Sequence, residues 1–323
     1  MCRFALVERH RRRKRGDRRS LDRVDGNAFQ LAFGGDTFNT AVYFARLTGA
    51  PTAYATALGT DPYSDAIASL AADNGISDTL ILRLPDQMPG LYLIETAEGE
   101  RAFHYWRSAA AVRRFIAESD LAALQHAAGT SRFIYLSGIT LSLFDANDRK
   151  RLRDVVSHAR SAGTIVVMDS NYRPRGWPDG VEHAREAFAA FWEITDLALP
   201  TFDDEQALWG DDSVNDTLKR LMAFGVGRVV VKDGANGAHI WEADGTSSTI
   251  AVEQTVQPID TTAAGDSFNA GVMAALHEGH SLAEAAVTGH RIASAVIQHR
   301  GAIVPAEATQ PVVDAFRNGC AAR

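Results

Sequence analysis

Short apolar runs separated by longer helical stretches are the feature that most restricts the fold of this chain. Runs that are apolar at nearly every position are typical of strands buried on both faces of a sheet. Helical stretches lie between them, for example at 145–162 and 181–191. This order predicts a mostly parallel sheet with helices on both faces. The predicted strands are Phe133–Leu136, Ile165–Asp169, Leu197–Leu199 and Val229–Lys232, preceded by a shorter strand at Pro51–Leu58 and a helix at Ser64–Asn74.

Two aromatic-rich segments follow a different pattern. Leu91–Thr96 and Arg101–Arg107 alternate in polarity and are joined by Ala97–Glu100. Alternation with a short polar connection predicts a β-hairpin. We interpret residues 89–107 as part of a small β-sheet lid that projects from the main domain.

Composition excludes several functional classes. The chain has 323 residues and a net charge of -7, which argues against nucleic acid as the main partner. Its cysteines, Cys2 and Cys320, lie at opposite ends and predict neither a disulfide framework nor a metal site. No apolar run reaches the roughly 18 residues of a membrane helix. A cytoplasmic enzyme that binds small molecules is the class that this composition favours.

A run of small residues lies where a strand end meets a predicted helix, at Asp260–Gly271. Ala263, Ala264 and Gly265 have almost no side chain, so their N–H groups can approach a ligand closely. Unpaired N–H groups at a helix N-terminus carry partial positive charge and predict a phosphate site. Asp266 is interpreted as the base for a hydroxyl that attacks a phosphoryl group. The alternative is an acidic residue that only favours the helix dipole.

A second glycine-rich loop precedes the helical run Val42–Leu47. Its paired glycines, Gly34 and Gly35, allow the backbone to approach a ligand. Asp36 and Asn39 offer polar groups that can hydrogen-bond sugar hydroxyls. Two such loops, far apart in sequence, indicate two ligands: a hydroxyl donor and a phosphate donor.

The two loops, in this order and at this separation, resemble those of the PfkB/ribokinase-type sugar kinases. The resemblance implies a ribokinase-like three-layer α/β sandwich with a small β-sheet lid. It also implies ATP and Mg²⁺, and transfer of phosphate to the C6 hydroxyl of 2-keto-3-deoxy-D-gluconate to give 2-keto-3-deoxy-6-phosphogluconate and ADP. The segments that resemble the family members acting on this sugar acid are Leu58–Asp61, Pro89–Tyr92, Phe103–Arg107, Leu136–Ile139, Asn171–Arg175 and His299–Ala302.

The same resemblance implies the site residues. Those for catalysis are Ala263, Ala264, Gly265 and Asp266. Those for the sugar acid are Gly34, Gly35, Asp36, Asn39, Tyr92, His104, Arg107, Arg173 and Asp266. Those for the nucleotide are Asn171, Arg173, Lys232, Gly234, Gly237, Ala263 and Gly265. Asp204 is the implied metal residue, with Glu205 as the alternative acid and a solvated acidic helix start as the other interpretation.

Arg173 has support from its position as well. It follows the predicted strand Ile165–Asp169, at the carboxyl end where open α/β sheets bind ligands. Arginine pairs bidentately with carboxylate or phosphate. A sugar acid needs such a partner, whereas a neutral sugar does not. The alternative is a loop arginine paired with Asp169 or Asp179.

The N-terminal segment is unusual. Residues 1–28 are rich in arginine, notably Arg9–Arg19, and predict a disordered basic segment ahead of a kinase domain at 29–317. The resembled kinases begin with a buried central strand, for which Phe4–Glu8 is a poor candidate. Two other functions stay open: a kinase for a neutral ketose such as fructose or tagatose, and, if the first strand is missing, an inactive sugar-binding protein. The resemblance also allows a homo-oligomer through the lid, and the gluconate or galactonate preference stays open.

Overall fold

The computed structural model describes residues 4–9, 29–97, 100–106, 108–253 and 255–321. The strands are β1 Phe4–Arg9, β2 Phe29–Gly34, β3 Thr52–Ala53, β4 Thr56–Leu58, β5 Ile76–Ser77, β6 Ile81–Arg83, β7 Gly90–Ala97, β8 Glu100–Trp106, β9 Phe133–Ser137, β10 Ile165–Asp169, β11 Leu197–Ala198, β12 Arg228–Lys232, β13 Ala238–Glu242 and β14 Ser247–Ile250. The helices are α1 Asp36–Thr48, α2 Pro62–Asp73, α3 Phe115–Glu118, α4 Leu121–Gly129, α5 Gly138–Ser142, α6 Ala146–Ser161, α7 Val181–Trp192, α8 Phe202–Trp209, α9 Val214–Ala223, α10 Ala264–His277, α11 Leu282–Val296 and α12 Ala306–Ala321.

The main sheet has the order β14-β13-β12-β11-β10-β9. Strands β9 to β12 are parallel, and β13 and β14 join antiparallel at the far edge. The four buried runs predicted from the sequence are therefore confirmed as the parallel part of this sheet. Their carboxyl ends lie along one edge, where Asp169 pairs in register with Ser137.

Helices cover both faces of the main sheet. Successive residues of a strand point to opposite faces, so each strand contributes side chains to both helix layers. Val166 and Met168 of β10 belong to a buried cluster with Val156 of α6. Val167, between them, belongs to a second cluster with Phe268 of α10. Burial on both faces explains why β10 is apolar until its last residue, and it confirms the predicted three layers.

Polar residues begin the helices that connect these strands. Asp61 accepts hydrogen bonds from the N–H groups of Tyr63 and Ser64, so α2 begins at Pro62, two residues before the prediction. Asp145 caps α6 in the same way. The predicted strand Pro51–Leu58 is two strands in the structure, because β3 pairs with β5 whereas β4 pairs with β6.

The predicted hairpin is confirmed as β7 and β8, which pair antiparallel. It belongs to a four-stranded lid sheet of order β2-β1-β7-β8. Phe4–Arg9 forms the second strand of this sheet, which corrects the prediction of disorder for this part of residues 1–28. Phe4–Arg9 is stabilised as a strand because β2 and β7 form backbone hydrogen bonds to its two edges. The residues around Phe4–Arg9 in the sequence do not indicate these two partner strands. Residues 10–28 lie outside the described part.

Candidate active site

Two helix N-termini meet at the carboxyl edge of the main sheet. Asp36 is the first residue of α1, and Asp266 lies in the first turn of α10. Asp169 ends β10 and Lys232 ends β12. The structure thus brings the two predicted glycine-rich loops together, although 227 positions separate Asn39 from Asp266.

Asp266 is held from the side of α1. The Asn39 amide donates to its carboxylate at 2.8 Å, and the Thr40 hydroxyl donates to its backbone oxygen at 3.1 Å. The side chain is half-buried. Burial raises the pKa of Asp266 to about 7, and the negative charge of Asp36 adds to the effect. A carboxylate whose pKa lies near neutral pH can accept a proton from a hydroxyl and later release it.

Asp36 is buried, and one of its two carboxylate oxygens accepts hydrogen bonds. The Ser137 hydroxyl and the Asn171 amide, the latter at 3.2 Å, both donate to Oδ2. Its Oδ1 is buried and lacks a hydrogen-bond partner among the described residues. An unsatisfied buried carboxylate oxygen is costly, so this atom is a ready acceptor for a ligand hydroxyl.

A second network lies beneath Asp266. The Lys232 ammonium donates to Asp169 and to the Asn269 side-chain oxygen, both at 2.9 Å. The Asn269 amide donates to Asp169 at 2.7 Å and to the Tyr135 hydroxyl at 3.0 Å. A side chain on Gly265 would lie 3.6 Å from the Lys232 nitrogen, which puts this ammonium next to the loop.

Sequence reasoning missed Asp169, Asn269 and Ser137. Two signals could have indicated them. Asn269 lies three residues after Asp266, hence on the adjacent face of the same helix turn. Asp169 and Ser137 end neighbouring strands, where parallel sheets collect polar groups.

The start of α10 has the features of an anion site. Ala263 adopts a left-handed conformation with φ 62°, which is rare for a residue with a side chain. Asp260 fixes the preceding loop by accepting from the N–H groups of Thr262 and Gly301. The Ala264 N–H already donates to Thr261 at 3.2 Å. This contact occupies the N–H group of Ala264, and the predicted catalytic role of Ala264 stays a prediction.

The N–H groups of Gly265 and Asp266 remain open in the described structure, where no backbone oxygen accepts them. Both groups belong to the first turn of α10, so the helix dipole reinforces their positive charge. The half-buried carboxylate of Asp266 lies in the same turn. A proton acceptor and anion-stabilising donors therefore lie within one turn of helix, as transfer of an anionic group to a hydroxyl requires.

Arg173 and Asp204 form an ion pair at the rim. The Arg173 guanidinium donates to Asp204 at 2.8 Å and to the Tyr172 carbonyl at 2.7 Å. The sequence analysis left open an ion pair between Arg173 and a carboxylate. Arg173 does form such a pair, but with Asp204 instead of Asp169 or Asp179. Half of the Arg173 side chain is exposed. Burial raises the pKa of Asp204 to about 6, against the opposing effect of Arg173.

Glu205 is not available as a metal ligand. It is fully buried and pairs with Arg220 at 2.6 Å, and Arg220 also bonds Asp211. Burial raises the pKa of Glu205 to about 7. Among the described residues no group of three His, Cys, Asp or Glu side chains could enclose a metal ion. The donor set fits Mg²⁺ only in the form that it commonly takes with nucleotides, with one carboxylate, waters and phosphates as ligands.

The remaining predicted residues lie around these networks. Gly234 and Gly237 lie on the turn after β12. A side chain at Gly237 would collide with the Ile250 carbonyl, 2.4 Å away, so close backbone packing already requires glycine there. The register pairs Tyr92 with Tyr105, and His104 with Leu93, so Tyr92 and His104 are not opposite each other in the lid. Arg107 lies outside the described residues.

Comparison with known proteins agrees with this geometry. The model of the pfkB family carbohydrate kinases matches residues 7–309. A 2-dehydro-3-deoxygluconokinase from Dickeya dadantii is 42% identical over 290 residues, which is 88% of this chain and 93% of that protein. The crystal structure of a PfkB protein from Polaromonas sp. JS666 superposes with a TM-score of 0.78 at 25% identity, covering 96% of this chain and 97% of that one.

A structure from Escherichia coli described as ribokinase II, in complex with ATP and Mg²⁺, has a TM-score of 0.79 at 19% identity. It covers 98% of this chain and 97% of that chain, and at this identity it supports the fold alone. Among the described residues no helix is both long and apolar enough to cross a bilayer. From its fold, its paired loops and the family match, the chain belongs to the pfkB family of carbohydrate kinases.

Proposed function

We propose that the protein is a 2-dehydro-3-deoxygluconokinase, which transfers the γ-phosphoryl group of ATP to the C6 hydroxyl of 2-keto-3-deoxy-D-gluconate. The products are 2-keto-3-deoxy-6-phosphogluconate and ADP. The 42% identity to a kinase of this name, over 88% of the chain, supports the substrate. The observation that carries the reaction type is Asp266, whose pKa of about 7 and position beside open N–H groups suit phosphoryl transfer.

Asp266 accepts the proton of the C6 hydroxyl as that oxygen attacks the phosphorus atom. The Asn39 amide holds the carboxylate at 2.8 Å and so fixes the direction of its free lone pairs. The N–H groups of Gly265 and Asp266, with that of Ala263, stabilise the negative charge on the phosphoryl oxygens during transfer. Positioning and electrostatic stabilisation supply most of the catalysis in reactions of this kind.

The sugar lies on the α1 side of the site in this proposal. The unpartnered Oδ1 of Asp36 accepts a sugar hydroxyl. The backbone of Gly34 and Gly35 lies directly before it and allows close approach. Tyr92, His104 and Arg107 of the lid are proposed to cover the sugar, as the family resemblance implies.

Arg173 binds the substrate carboxylate. Its guanidinium has five N–H donors, and the bonds to Asp204 and Tyr172 both use Nη1, so a second edge remains for a carboxylate. The half-exposed position of the side chain also lets it move toward a ligand. Neutral sugars offer no such anion, which is why Arg173 favours a sugar acid.

The nucleotide lies on the side of β12 and α10 in this proposal. Lys232 and Asn171 border the phosphates, and the Gly234–Gly237 turn lies along the nucleotide. Bound Mg²⁺ would neutralise charge between the β- and γ-phosphates. Asp204 would be the carboxylate that holds the metal ion, and its Oδ1 already accepts from Arg173. A cytoplasmic location and a homo-oligomer through the lid remain predictions.

The test is ADP release by the purified protein with Mg-ATP and 2-keto-3-deoxygluconate, 2-keto-3-deoxygalactonate, fructose or tagatose. We expect turnover with the keto-deoxy acids only. Asp266→Asn should lower kcat on the order of 10²–10⁴-fold and leave the KM for ATP nearly unchanged, because it removes only the proton acceptor. Asp154→Asn, an exposed change on α6, is the matched control. Near-normal kcat in Asp266→Asn would exclude the base role.

A second pair of variants tests the substrate class. Arg173→Ala should raise the KM for the sugar acid by about 10- to 100-fold, the range expected for one charge-assisted contact. Asp204→Asn removes the same ion pair but keeps the guanidinium of Arg173. It should therefore mainly raise the Mg²⁺ concentration that gives half-maximal activity. Turnover of fructose that is insensitive to Arg173→Ala would indicate a neutral-sugar kinase instead.

A further inference from the structure

The short helix α8, at the rim of the candidate active site, is held in place largely by charged groups. Of its eight residues, Glu205 and Leu208 are the buried ones, so a carboxylate takes one of the two inward positions. Its two aromatic residues are only partly buried. The N-cap residue Thr201 adds no side-chain hydrogen bond to this helix in the described structure. Apolar burial alone therefore fixes the rotation of α8 poorly.

A buried ion network ties Glu205 to α9. The Arg220 Nη2 group donates to Glu205 at 2.6 Å and to Asp211 at 2.5 Å, and its Nε donates to Asp211 at 3.2 Å. The Thr217 hydroxyl also donates to Asp211, at 2.6 Å. The guanidinium lies over the ring of Trp209, with its carbon 4.6 Å from the ring centroid. A planar fork that is held on three sides has little freedom to turn, so the network sets the position of Glu205 relative to α9.

The cost of burying this network indicates a role in positioning. Moving carboxylates and a guanidinium out of water costs free energy, which their mutual attraction only partly offsets. Apolar residues of similar volume often stabilise a fold equally well. The ion network differs from such residues in its directional hydrogen bonds, which define one geometry between α8 and α9.

The start of α8 carries groups of the candidate active site. Successive residues of a helix point about 100° apart, so Glu205 points inward while Asp204, directly before it, reaches Arg173. The Arg173 guanidinium donates to Asp204 at 2.8 Å. Just ahead of the helix, Thr201 forms a β-bridge with Lys232. A rotation of α8 would therefore move the carboxylate that holds Arg173.

We propose that Glu205 and Arg220 are positioning residues for recognition of the substrate carboxylate. Their ion pair fixes the rotation of α8 and thereby the direction of Asp204. Asp204 in turn holds one side of the Arg173 guanidinium, so that its other edge faces the substrate. This role rests on the proposed function of Arg173 in binding the sugar acid. Neither Glu205 nor Arg220 contacts the substrate itself.

The kinetic test removes the carboxylate of Glu205. Glu205→Met has a side chain of similar length and leaves Arg220 paired with Asp211, so the fold should tolerate it. The KM for 2-keto-3-deoxygluconate should rise about 5- to 30-fold, because misplacement of a binding group by about 1 Å can cost up to about 100-fold. The KM for ATP should change little. A lower Tm with an unchanged KM for the sugar acid would show a merely structural role and overturn the proposal.

Two further variants make the kinetic test specific. Glu205→Gln keeps an acceptor for Arg220, so its KM for the sugar acid should lie well below that of Glu205→Met. Asp203→Met removes an exposed carboxylate from the same turn of α8 and is the matched control. It should leave the KM for the sugar acid unchanged. An equal rise in Asp203→Met and Glu205→Met would assign the effect to charge alone and overturn the proposal.

A double-mutant cycle tests the route through Arg173. In the Arg173→Ala background, Glu205→Met should raise the KM for the sugar acid no further, because the group that it positions is absent. The same fold increase in both backgrounds would mean that Glu205 acts independently of Arg173, which would overturn the proposal.

A crystal structure of Glu205→Met without substrate decides the positioning role independently of activity. The distance from Arg173 Nη1 to Asp204 Oδ1 should exceed about 4 Å, the limit of an ion pair. A distance that stays near 2.8 Å would overturn the proposal. If the unmodified protein does not phosphorylate the sugar acid, the proposed function fails, whereas this distance still decides whether Glu205 positions Asp204 and Arg173.

Discussion

Burial of Asp266, with the negative charge of Asp36 adding to its effect, is expected to set the pH at which the enzyme becomes active. Burial and Asp36 together raise the pKa of Asp266 to about 7. Only the ionised form accepts the substrate proton, so kcat/KM should fall on the acid side with a midpoint near pH 7. The ionised fraction is about 0.91 at pH 8 and about 0.09 at pH 6, which predicts roughly a tenfold loss between them.

Asp36→Asn removes the neighbouring charge but keeps an amide oxygen for Ser137. A like charge at close range shifts a carboxyl pKa by on the order of one unit, so the midpoint should move down by about one pH unit. At pH 6 the variant would then keep about half of its own plateau, where the unmodified protein keeps about a tenth. The plateau itself should fall, since a sugar contact is weakened.

The assay is the pH profile of kcat/KM from pH 5 to 9 at saturating Mg-ATP, in buffers of constant ionic strength. Normalising each profile to its own plateau separates the shift from the loss of binding. Asp154→Asn has the same charge change at an exposed position of α6 and should leave the midpoint unchanged. A midpoint near pH 7 that stays fixed in Asp36→Asn would refute the electrostatic coupling of the two carboxyls.

Three further predictions concern stability. The pKa of Asp266 in the folded protein is higher than the value of about 3.9 expected in the unfolded chain. Ionisation of Asp266 therefore destabilises the folded state as the pH rises from about 4 to 7. Asp266→Asn removes this effect and should raise Tm at pH 8 but not near pH 4. Lys232→Met leaves Asp169 buried without its cation and should cost about 3–5 kcal/mol in urea unfolding at pH 7, whereas Lys219→Met on α9 should cost little. Gly237→Ala, at φ 102° and with 2.4 Å to the Ile250 carbonyl, should cost at least about 1–2 kcal/mol, and an unchanged Tm would contradict the strain.

The parallel sheet and the two loops could be predicted because each has a local signature. The runs at β10 and β12 are apolar since both faces of each strand are buried. The small residues before Asp266 mark a helix start whose N–H groups stay open. These patterns depend on neighbours within a few residues, so the sequence is sufficient to identify them.

The networks of the site depend on distant parts of the chain. Asp169, Lys232 and Asn269 come from three elements, and nothing near any of them in sequence indicates the other two. The same is true of Arg173, whose carboxylate partner turned out to be Asp204. The pKa of Asp266 also depends on Asp36, which packing alone brings close.

By itself, the sequence determined the alternation of strands and helices, the two glycine-rich loops and the family resemblance. Only the tertiary structure decided that Phe4–Arg9 enters the lid sheet and that Arg173 pairs with Asp204. The physical reason is that secondary structure follows from local periodicity and propensity. Strand order, ion pairs and cavities follow from which distant surfaces share a core, and that is set when the whole chain packs.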